Sequence, residues 1–182
     1  DKKRDINKRK KQIEQLQEQA LKANKILGIR DVYFFNFPDN RFDTVAILDI
    51  IKAIEEVKNK IKPDTIFTHH RNDLNVDHII IYQAVITACR PLENETVREI
   101  YSCEILSSTE WNYPNIFCPN VYVDISKTIN KKIEAMEIYK NELQKWPHPR
   151  SLVAIEILAK KRGCEVGLEY AEAFELVKKI CL

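Results

Sequence analysis

Apolar residues recur at helical spacing in three stretches of the first half of the chain. The first stretch, Ile6–Leu27, keeps its apolar residues on one helical face, and Gly28 follows where a left-handed residue would end a helix. The second stretch, Ile47–Ile61, and the third, residues 76–90, are each followed within two positions by a proline, which cannot continue a helix. The pattern therefore predicts three helices before residue 91.

Short runs of β-branched and aromatic residues lie between and after these helices. DVYFFNF (31–37) and DTIFT (64–68) predict two strands, and residues 98–106 and VYVD (121–124) predict two more. DTIFT is too short and too β-branched to form anything but a buried strand. Strand and helix thus alternate through the first hundred residues.

Helical patterns return in the last third of the chain. Residues 126–143 predict a helix that WPHPRS breaks, because two prolines flank one histidine there. Residues 152–162, with Gly163 as their stop, and residues 170–180 predict two further helices.

Alternating strands and helices predict an α/β fold with an open, mostly parallel sheet and helices on both faces. The chain is long enough for one domain, which we assign to residues 1–182. It begins on a helix and with Asp1 rather than Met, and it supplies fewer parallel strands than the usual sheet of about five or six. We therefore expect an N-terminally incomplete domain whose first strand lies upstream.

Composition narrows the class of protein. The chain is 45% hydrophobic and 31% charged, as in ordinary globular proteins, and no apolar run approaches a membrane span. With no signal peptide in view, we expect a cytoplasmic protein. The cysteines are odd in number and form no C-x-x-C pair, which indicates reduced thiols: Cys89, Cys103, Cys118, Cys164 and Cys181.

Charge and glycine content exclude several functions. A net charge of +2 gives no global reason to expect nucleic acid, and the basic run DKKRDINKRKK is more typical of a solvated helix face. With three glycines in the chain, neither a phosphate-binding loop nor a dinucleotide fingerprint is present, and no G-x-S-x-G elbow indicates a serine hydrolase.

The stretch THHRNDLNVDHIIIYQAV (68–85) concentrates chemistry between a strand and a helix. His69 and His70 follow the strand at the edge where open α/β sheets bind ligands, and His78 falls in the first turn of the next helix. Asn75 or Asp77 would cap that helix, and Asp77 could fix a histidine tautomer. Histidines and carboxylates in a crevice are typical of a catalytic zinc site, although a capping loop with ordinary polar contacts explains the spacing equally well.

The ordered set GIRDVYFFNFPDNRFD, KPDTIFTHHRNDLNVDH, SSTEW and WPHPRSLVAIEILAKKRG resembles the LmbE-like family of N-acetylglucosaminyl deacetylases, the PIG-L group, from about Ala20 onward. The resemblance implies a Rossmann-like hydrolase that uses one Zn²⁺ to remove acetyl from an N-acetylated sugar or sugar conjugate, with a place in carbohydrate metabolism. By the same resemblance, His78 is the final, zinc-binding histidine of an H-x-D-H motif, and Asp77 is the acid that orients its neighbours.

Two departures from the family pattern limit this interpretation. The early H-P-D-D motif, which supplies further zinc ligands and a general base, is absent from these 182 residues. Asn75 stands where many members have a histidine that stabilises the oxyanion and protonates the leaving amine. An asparagine can donate a hydrogen bond to an oxyanion but cannot deliver a proton, which would pass to an upstream aspartate, His70 or His148.

The enzyme assignment therefore depends on an upstream H-P-D-D motif. The alternative is a non-catalytic sugar-binding or assembly module with a degenerate metal site. The sequence leaves homo-oligomerisation and the exact acyl sugar open.

Several polar residues outside the motif are candidate substrate contacts. His148 and Arg150 lie on a proline-rich loop, Asp39 and Arg41 follow a predicted strand, and Arg71 lies beside the histidines. Each also has a structural explanation, as a helix start, a P-D-N turn or a surface ion pair. Trp111 and Tyr113 could stack on a sugar, but aromatic rings more often anchor a loop.

Overall fold

The computed structural model describes residues 6–114 and 116–181 and confirms the α/β class. The helices are α1 (Ile6–Leu27), α2 (Ile47–Ile61), α3 (Val76–Ala88), α4 (Ile129–Glu137) and α5 (Leu152–Cys164), and the strands are β1 (Thr65–His69), β2 (Glu99–Cys103), β3 (Val121–Asp124) and β4 (Ala171–Lys179). Single 3₁₀ turns cover Phe42–Thr44 and Thr109–Trp111. Residues 1–5 of the basic run DKKRDINKRKK lie outside the described residues.

The chain forms two compact units. One comprises the chain up to Phe34 together with Asp124–Tyr170, and its buried core residues are Ile125, Ile129 and Ala159. The other comprises Phe35–Val123 and the chain from Ala171 onward, and it contains the sheet with α2 and α3. Its core consists of Ile50, Ile51, Ala84, Val85, Ala88, Cys89, Val97 and Ile100. The assignment of the chain to one domain stays a prediction.

The sheet is mixed rather than mostly parallel. Its strands lie in the order β1-β2-β4-β3, β1 pairs with β2 in parallel from Thr65↔Glu99 to His69↔Cys103, and β2 pairs with β4 in antiparallel. The parallel pair sets the carboxyl ends of β1 and β2 side by side, which is the edge where this class of fold binds ligands.

The helix predicted over residues 170–180 is wrong, because this segment is β4. Ala171 and Ala173 are both buried, at the spacing of two that a strand requires. β4 lies between β2 and β3, so that backbone hydrogen bonds on both sides outweigh the helical preference of its Glu, Leu and Lys residues.

The strand predicted over residues 31–37 is also wrong. This segment has no regular secondary structure, and within the described residues the sheet ends at β1. The segment uses its aromatic residues for packing instead, because Phe37 meets Phe42 edge to face at 5.6 Å and both pack against the core.

The ends of three helices differ from prediction. α3 ends at Ala88 and α4 at Glu137, earlier than predicted, since turns follow each of them. α5 continues past Gly163 to Cys164, where Gly163 serves close packing: a Cβ at this position would lie 2.6 Å from the carbonyl oxygen of Leu168. Gly28, by contrast, has the predicted left-handed φ of 79° after α1.

None of the helices in the described part of the chain combines the length and the apolar character that crossing a bilayer requires.

Candidate functional site

The predicted seam between β1 and α3 forms as expected. β1 ends at His69, a short loop carries His70 to Asn75, and α3 begins at Val76, so that His78 falls in its first turn. Asn75 is the N-cap, and its Oδ1 accepts a 2.8 Å hydrogen bond from the backbone N–H of Asp77. The helix start therefore follows from the sequence, as predicted for Asn75.

Asp73 is the carboxylate that contacts His78. Its Oδ1 lies 3.1 Å from His78 Nδ1, and it accepts hydrogen bonds from the Ser108 hydroxyl, from the Thr109 hydroxyl at 2.6 Å and from the Asn75 backbone N–H at 2.9 Å. Burial of Asp73 favours a raised pKa, but the hydrogen bonds from His78, Ser108, Thr109 and Asn75 outweigh it and hold the pKa well below its ordinary value. Asp73 is thus a buried carboxylate that stays ionised.

This arrangement determines which His78 nitrogen is available. A carboxylate beside Nδ1 favours the tautomer whose proton is on Nδ1, and this leaves the lone pair on Nε2. Such a nitrogen can bind a metal ion or accept a proton.

His69 stacks on His78 and is a neutral imidazole at neutral pH. The two rings are parallel within 2°, with centroids 3.9 Å apart, and His69 Nδ1 is buried without a hydrogen-bond partner. Burial and the neighbouring His78 lower the pKa of His69 to about 4, although Asp73 acts in the opposite direction. His69 is therefore a neutral ring, stacked on the ring of His78, that could act as a ligand.

His70, predicted as a catalytic residue, has both ring nitrogens engaged inside the protein. Nε2 lies 2.9 Å from Glu175 Oε2, and Nδ1 accepts the backbone N–H of Asn72 at 3.3 Å. Its side chain is 1% exposed, so a proton-transfer role is not supported by the geometry. Arg71 also binds Glu175, at 2.6 Å from Oε1, which matches the alternative of a surface ion pair.

Asp77 orients a loop and no histidine. Its Oδ2 accepts the backbone N–H of Asn40 at 2.6 Å and its Oδ1 accepts that of Phe42 at 3.0 Å. Asp39 and Arg41, the predicted substrate contacts, are exposed on either side of Asn40. The sequence assigned the role of orienting a histidine to Asp77, whereas in the structure the carboxylate beside His78 is that of Asp73.

His148 and Arg150 lie in the other unit. The Nδ1 of His148 accepts the backbone N–H of Arg150 at 3.0 Å, and Arg150 pairs with Glu142 at 2.6 Å. His148 thus stabilises the turn that precedes α5. A substrate role for either residue stays a prediction.

Sequence reasoning missed the loop that follows β2. Ser108 and Thr109 hold Asp73, and Asn112 Nδ2 donates to the carbonyl oxygen of Asn72 at 3.2 Å. Hydroxyl residues in SSTEW were a signal for this contact, but nothing local in the sequence pairs them with Asp73. The loop also carries Tyr113, whose ring is 82% exposed.

Among the described residues, one side chain is clearly suited to bind a metal ion. Over residues 6–114 and 116–181, no group of three or more His, Cys, Asp or Glu side chains is arranged to hold a metal ion. His78 Nε2 has the ligand chemistry, and Asp73 gives it the hydrogen-bonded support that metal-binding histidines usually have. Zinc therefore stays a prediction.

Comparison with known proteins identifies a family and a protein that this sequence resembles. Residues 1–89 match the PIG-L family, described as GlcNAc-PI de-N-acetylase. The uncharacterized deacetylase YaiS of Escherichia coli (strain K12) is 33% identical over 105 residues, which are 55% of this chain and 54% of that protein. The chain thus spans about half the length of this curated relative.

Two solved structures share the fold. The conserved protein TT1542 of Thermus thermophilus has a TM-score of 0.70 at 20% identity, covering 93% of this chain and 75% of that one. The N,N′-diacetylchitobiose deacetylase of Pyrococcus horikoshii has a TM-score of 0.67 at 17% identity, covering 89% of this chain and 62% of that one. These comparisons confirm the resemblance that the sequence motifs indicate.

Proposed function

Because residues 1–89 match the PIG-L family and a 33% identical relative is named a deacetylase, we propose that the protein is a zinc-dependent hydrolase that removes acetyl from an N-acetylated sugar derivative of the GlcNAc type. The observation that carries the proposal is His78, whose Nδ1 lies 3.1 Å from the buried carboxylate of Asp73 at the carboxyl end of β1. This pair prepares one nitrogen, Nε2, for a ligand.

His78 Nε2 would be one of the zinc ligands. When bound, zinc would supply a Lewis acid for the acetyl carbonyl and an activated water for its hydrolysis. The carboxylate of Asp73 keeps His78 in the metal-binding tautomer, and Ser108 and Thr109 keep Asp73 in place.

Asn75 would act as a hydrogen-bond donor and not as a proton carrier. Its Oδ1 is used in capping α3, while Nδ2 donates to Asn40 Oδ1 at 3.3 Å and has a second N–H for an oxyanion. An amide cannot protonate a leaving amine. Because His70 is held by Glu175, the proton would come from one of the other two candidates, an upstream aspartate or His148.

The proposed substrate class agrees with the polar character of the exposed residues. Asp39 and Arg41 offer an acceptor and donors for sugar hydroxyls next to the start of α3, and Tyr113 offers an exposed ring for stacking. A relative in fold acts, by its name, on N,N′-diacetylchitobiose, an N-acetylated sugar.

The test is zinc content and acetate release on the full-length product of the reading frame. We expect about one zinc per chain and hydrolysis of a GlcNAc derivative, with both lost in His78→Ala and both kept in Lys160→Ala, which removes an exposed ion pair with Glu156. Zinc that remains in His78→Ala would contradict the proposal.

A non-catalytic sugar-binding module is the second candidate. Asn75 in place of a histidine favours it, as does the absence of a three-ligand group in the described residues. It predicts sugar binding that chelators do not change and no acetate release from the full-length protein.

A further inference from the structure

We propose that Asp77 is a positioning residue that anchors the 38–44 loop to the start of α3 and thereby sets the affinity for substrate. This inference rests on the proposed function for its kinetic consequence but not for the anchor itself. It replaces a role in orienting a histidine, because that position is occupied by Asp73.

The anchor consists of backbone hydrogen bonds that cross a long stretch of sequence. Asp77 Oδ2 accepts from Asn40 N at 2.6 Å and Oδ1 accepts from Phe42 N at 3.0 Å, and the partners are 37 and 35 positions apart in the chain. The Asp77 side chain is buried, so that water competes poorly for these two donors. Both carboxylate oxygens are thus committed to one loop.

The base and the tip of the 38–44 loop differ. Phe37 and Phe42 pack against the hydrophobic core and fix the base. Between them, Asp39, Asn40 and Arg41 are exposed.

Asn40 shows why the tip needs an anchor. Its φ of 53° lies in the left-handed region, which is energetically unfavourable for a residue other than glycine, though less so for asparagine than for most. Two hydrogen bonds offset this cost, because Asn40 N–H donates to Asp77 and Asn40 Oδ1 accepts from Asn75 at 3.3 Å. Asp77 in α3 and the N-cap residue Asn75 therefore stabilise the left-handed conformation of Asn40.

The consequence for binding follows from the sequence neighbours of these residues. Asp77 precedes His78, and Asn40 lies between Asp39 and Arg41. The anchor holds two polar side chains beside the turn that carries the proposed ligand nitrogen. Without it, substrate would have to order the loop on binding, which weakens affinity and leaves the chemical step intact.

The experiment compares Asp77→Asn and Asp77→Ala with the unmodified full-length protein. The matched control is Asp49→Asn, which changes an exposed aspartate in the first turn of α2. Hydrogen exchange at the amides of Asn40 and Phe42 reads the anchor directly. We expect exchange to be at least about 10-fold faster in Asp77→Ala, intermediate in Asp77→Asn and unchanged in Asp49→Asn.

Kinetics on a GlcNAc derivative then read the consequence. We expect KM to rise about 10-fold in Asp77→Ala while kcat stays within about twofold. Unchanged amide exchange in both Asp77 variants would overturn the anchor, and a fall in kcat at constant KM would overturn the affinity role.

If the unmodified protein releases no acetate, the proposed function fails, while amide exchange still decides the anchor and the Kd for the same sugar replaces KM. If Asp77→Ala does not fold, Asp77→Asn supplies the reading, because its amide oxygen keeps one acceptor. Asn40→Gly, which keeps the N–H and the left-handed conformation, should retain slow exchange at both positions.

Discussion

The two ends of α3 follow the same electrostatic rule but use their polar groups differently. At its N-terminus, Asp73 and Asp77 provide negative charge, and at its C-terminus three cations donate to the last carbonyl groups, as the helix dipole favours. Arg90 binds Thr87 O at 2.7 Å, Lys58 binds Ala88 O at 2.7 Å and Lys178 binds Cys89 O at 2.8 Å.

The difference lies in what remains unpaired. At the C-terminal end Lys58 also binds Glu95, whose Oε1 accepts the Val97 backbone N–H at 2.9 Å. A cleft of about 460 Å³ opens there, but the charged groups of this ion pair are already bonded inside the protein. At the N-terminal end, His69 Nδ1 is buried without a partner.

We call the C-terminal end of α3 saturated, because its charged groups are hydrogen-bonded within the protein, and such an end stabilises the fold. The N-terminal end, where a histidine nitrogen has no partner, is unsaturated and can bind a ligand. Buried polar atoms without a hydrogen-bond partner are costly, and functional sites are one place where proteins keep them. The cleft at the C-terminal end is therefore a poor guide to the site, and the histidine nitrogen without a partner is a better one.

The largest effect should come from breaking the saturated end. Lys58→Ala leaves Glu95 buried without its cation, because the side chains are only 12% and 8% exposed, and should lower the free energy of unfolding by about 3 to 5 kcal/mol. Urea denaturation measures it. The double variant Lys58→Met with Glu95→Gln should regain much of the loss, and no loss in Lys58→Ala would disprove the contrast between the ends.

At the other end, removal of the proposed ligand should affect activity and spare the fold. His78→Ala should lower kcat/KM at least 100-fold, which corresponds to about 2.7 kcal/mol, with little change in the midpoint of thermal unfolding. Acetate release and calorimetry on the full-length protein measure the two quantities. A large fall in the unfolding midpoint would place His78 among the structural residues.

The N-cap should have a moderate effect on stability. Asn75→Ala removes the acceptor for the Asp77 N–H and should cost about 1 kcal/mol, whereas Asn75→Asp keeps that acceptor and should cost much less. Equal losses in the two variants, measured by urea denaturation, would show that the cap bond contributes nothing.

The smallest of these effects should be the loss of stability in acid at the saturated, C-terminal end of α3. Burial favours a raised pKa for Glu95, but the hydrogen bonds from Lys58 and Val97 outweigh it and lower the pKa below 4.5. A depressed carboxyl pKa contributes stability that is present above pH 4.5 and is lost as the pH falls through the folded-state value. We therefore expect the free energy of unfolding, measured by urea denaturation, to fall less between pH 6 and pH 3 in Glu95→Gln than in the unmodified protein. An equal fall in both proteins would assign the acid sensitivity to other groups.

Local patterns predicted the elements that local forces determine. α2 was predicted with its observed bounds, because amphipathic spacing and a following proline act within the segment itself. His78 in the first turn of α3 and Asn75 as its cap follow from the same kind of reasoning.

Contacts between distant segments were beyond this reasoning. The partner of Asp73 is a pair of hydroxyls 35 and 36 residues away, and β4 became a strand because it pairs with β2 rather than through its own periodicity. The prediction of a strand at residues 31–37 was wrong because strand formation also depends on a neighbour. Among the described residues, no strand pairs with this aromatic segment.

The strand order also has a consequence for biosynthesis. β4 lies between β2 and β3 although it is the last of the four to be made, and Ala171 follows Cys103 by 68 residues. At about 5 to 20 residues per second, translation leaves the edge of β2 open for roughly 3 to 14 s. During that time the nascent chain presents an unpaired strand edge to other chains, and Glu175, the partner of His70, is not yet available. Chaperone protection during this interval should therefore raise the yield of folded protein.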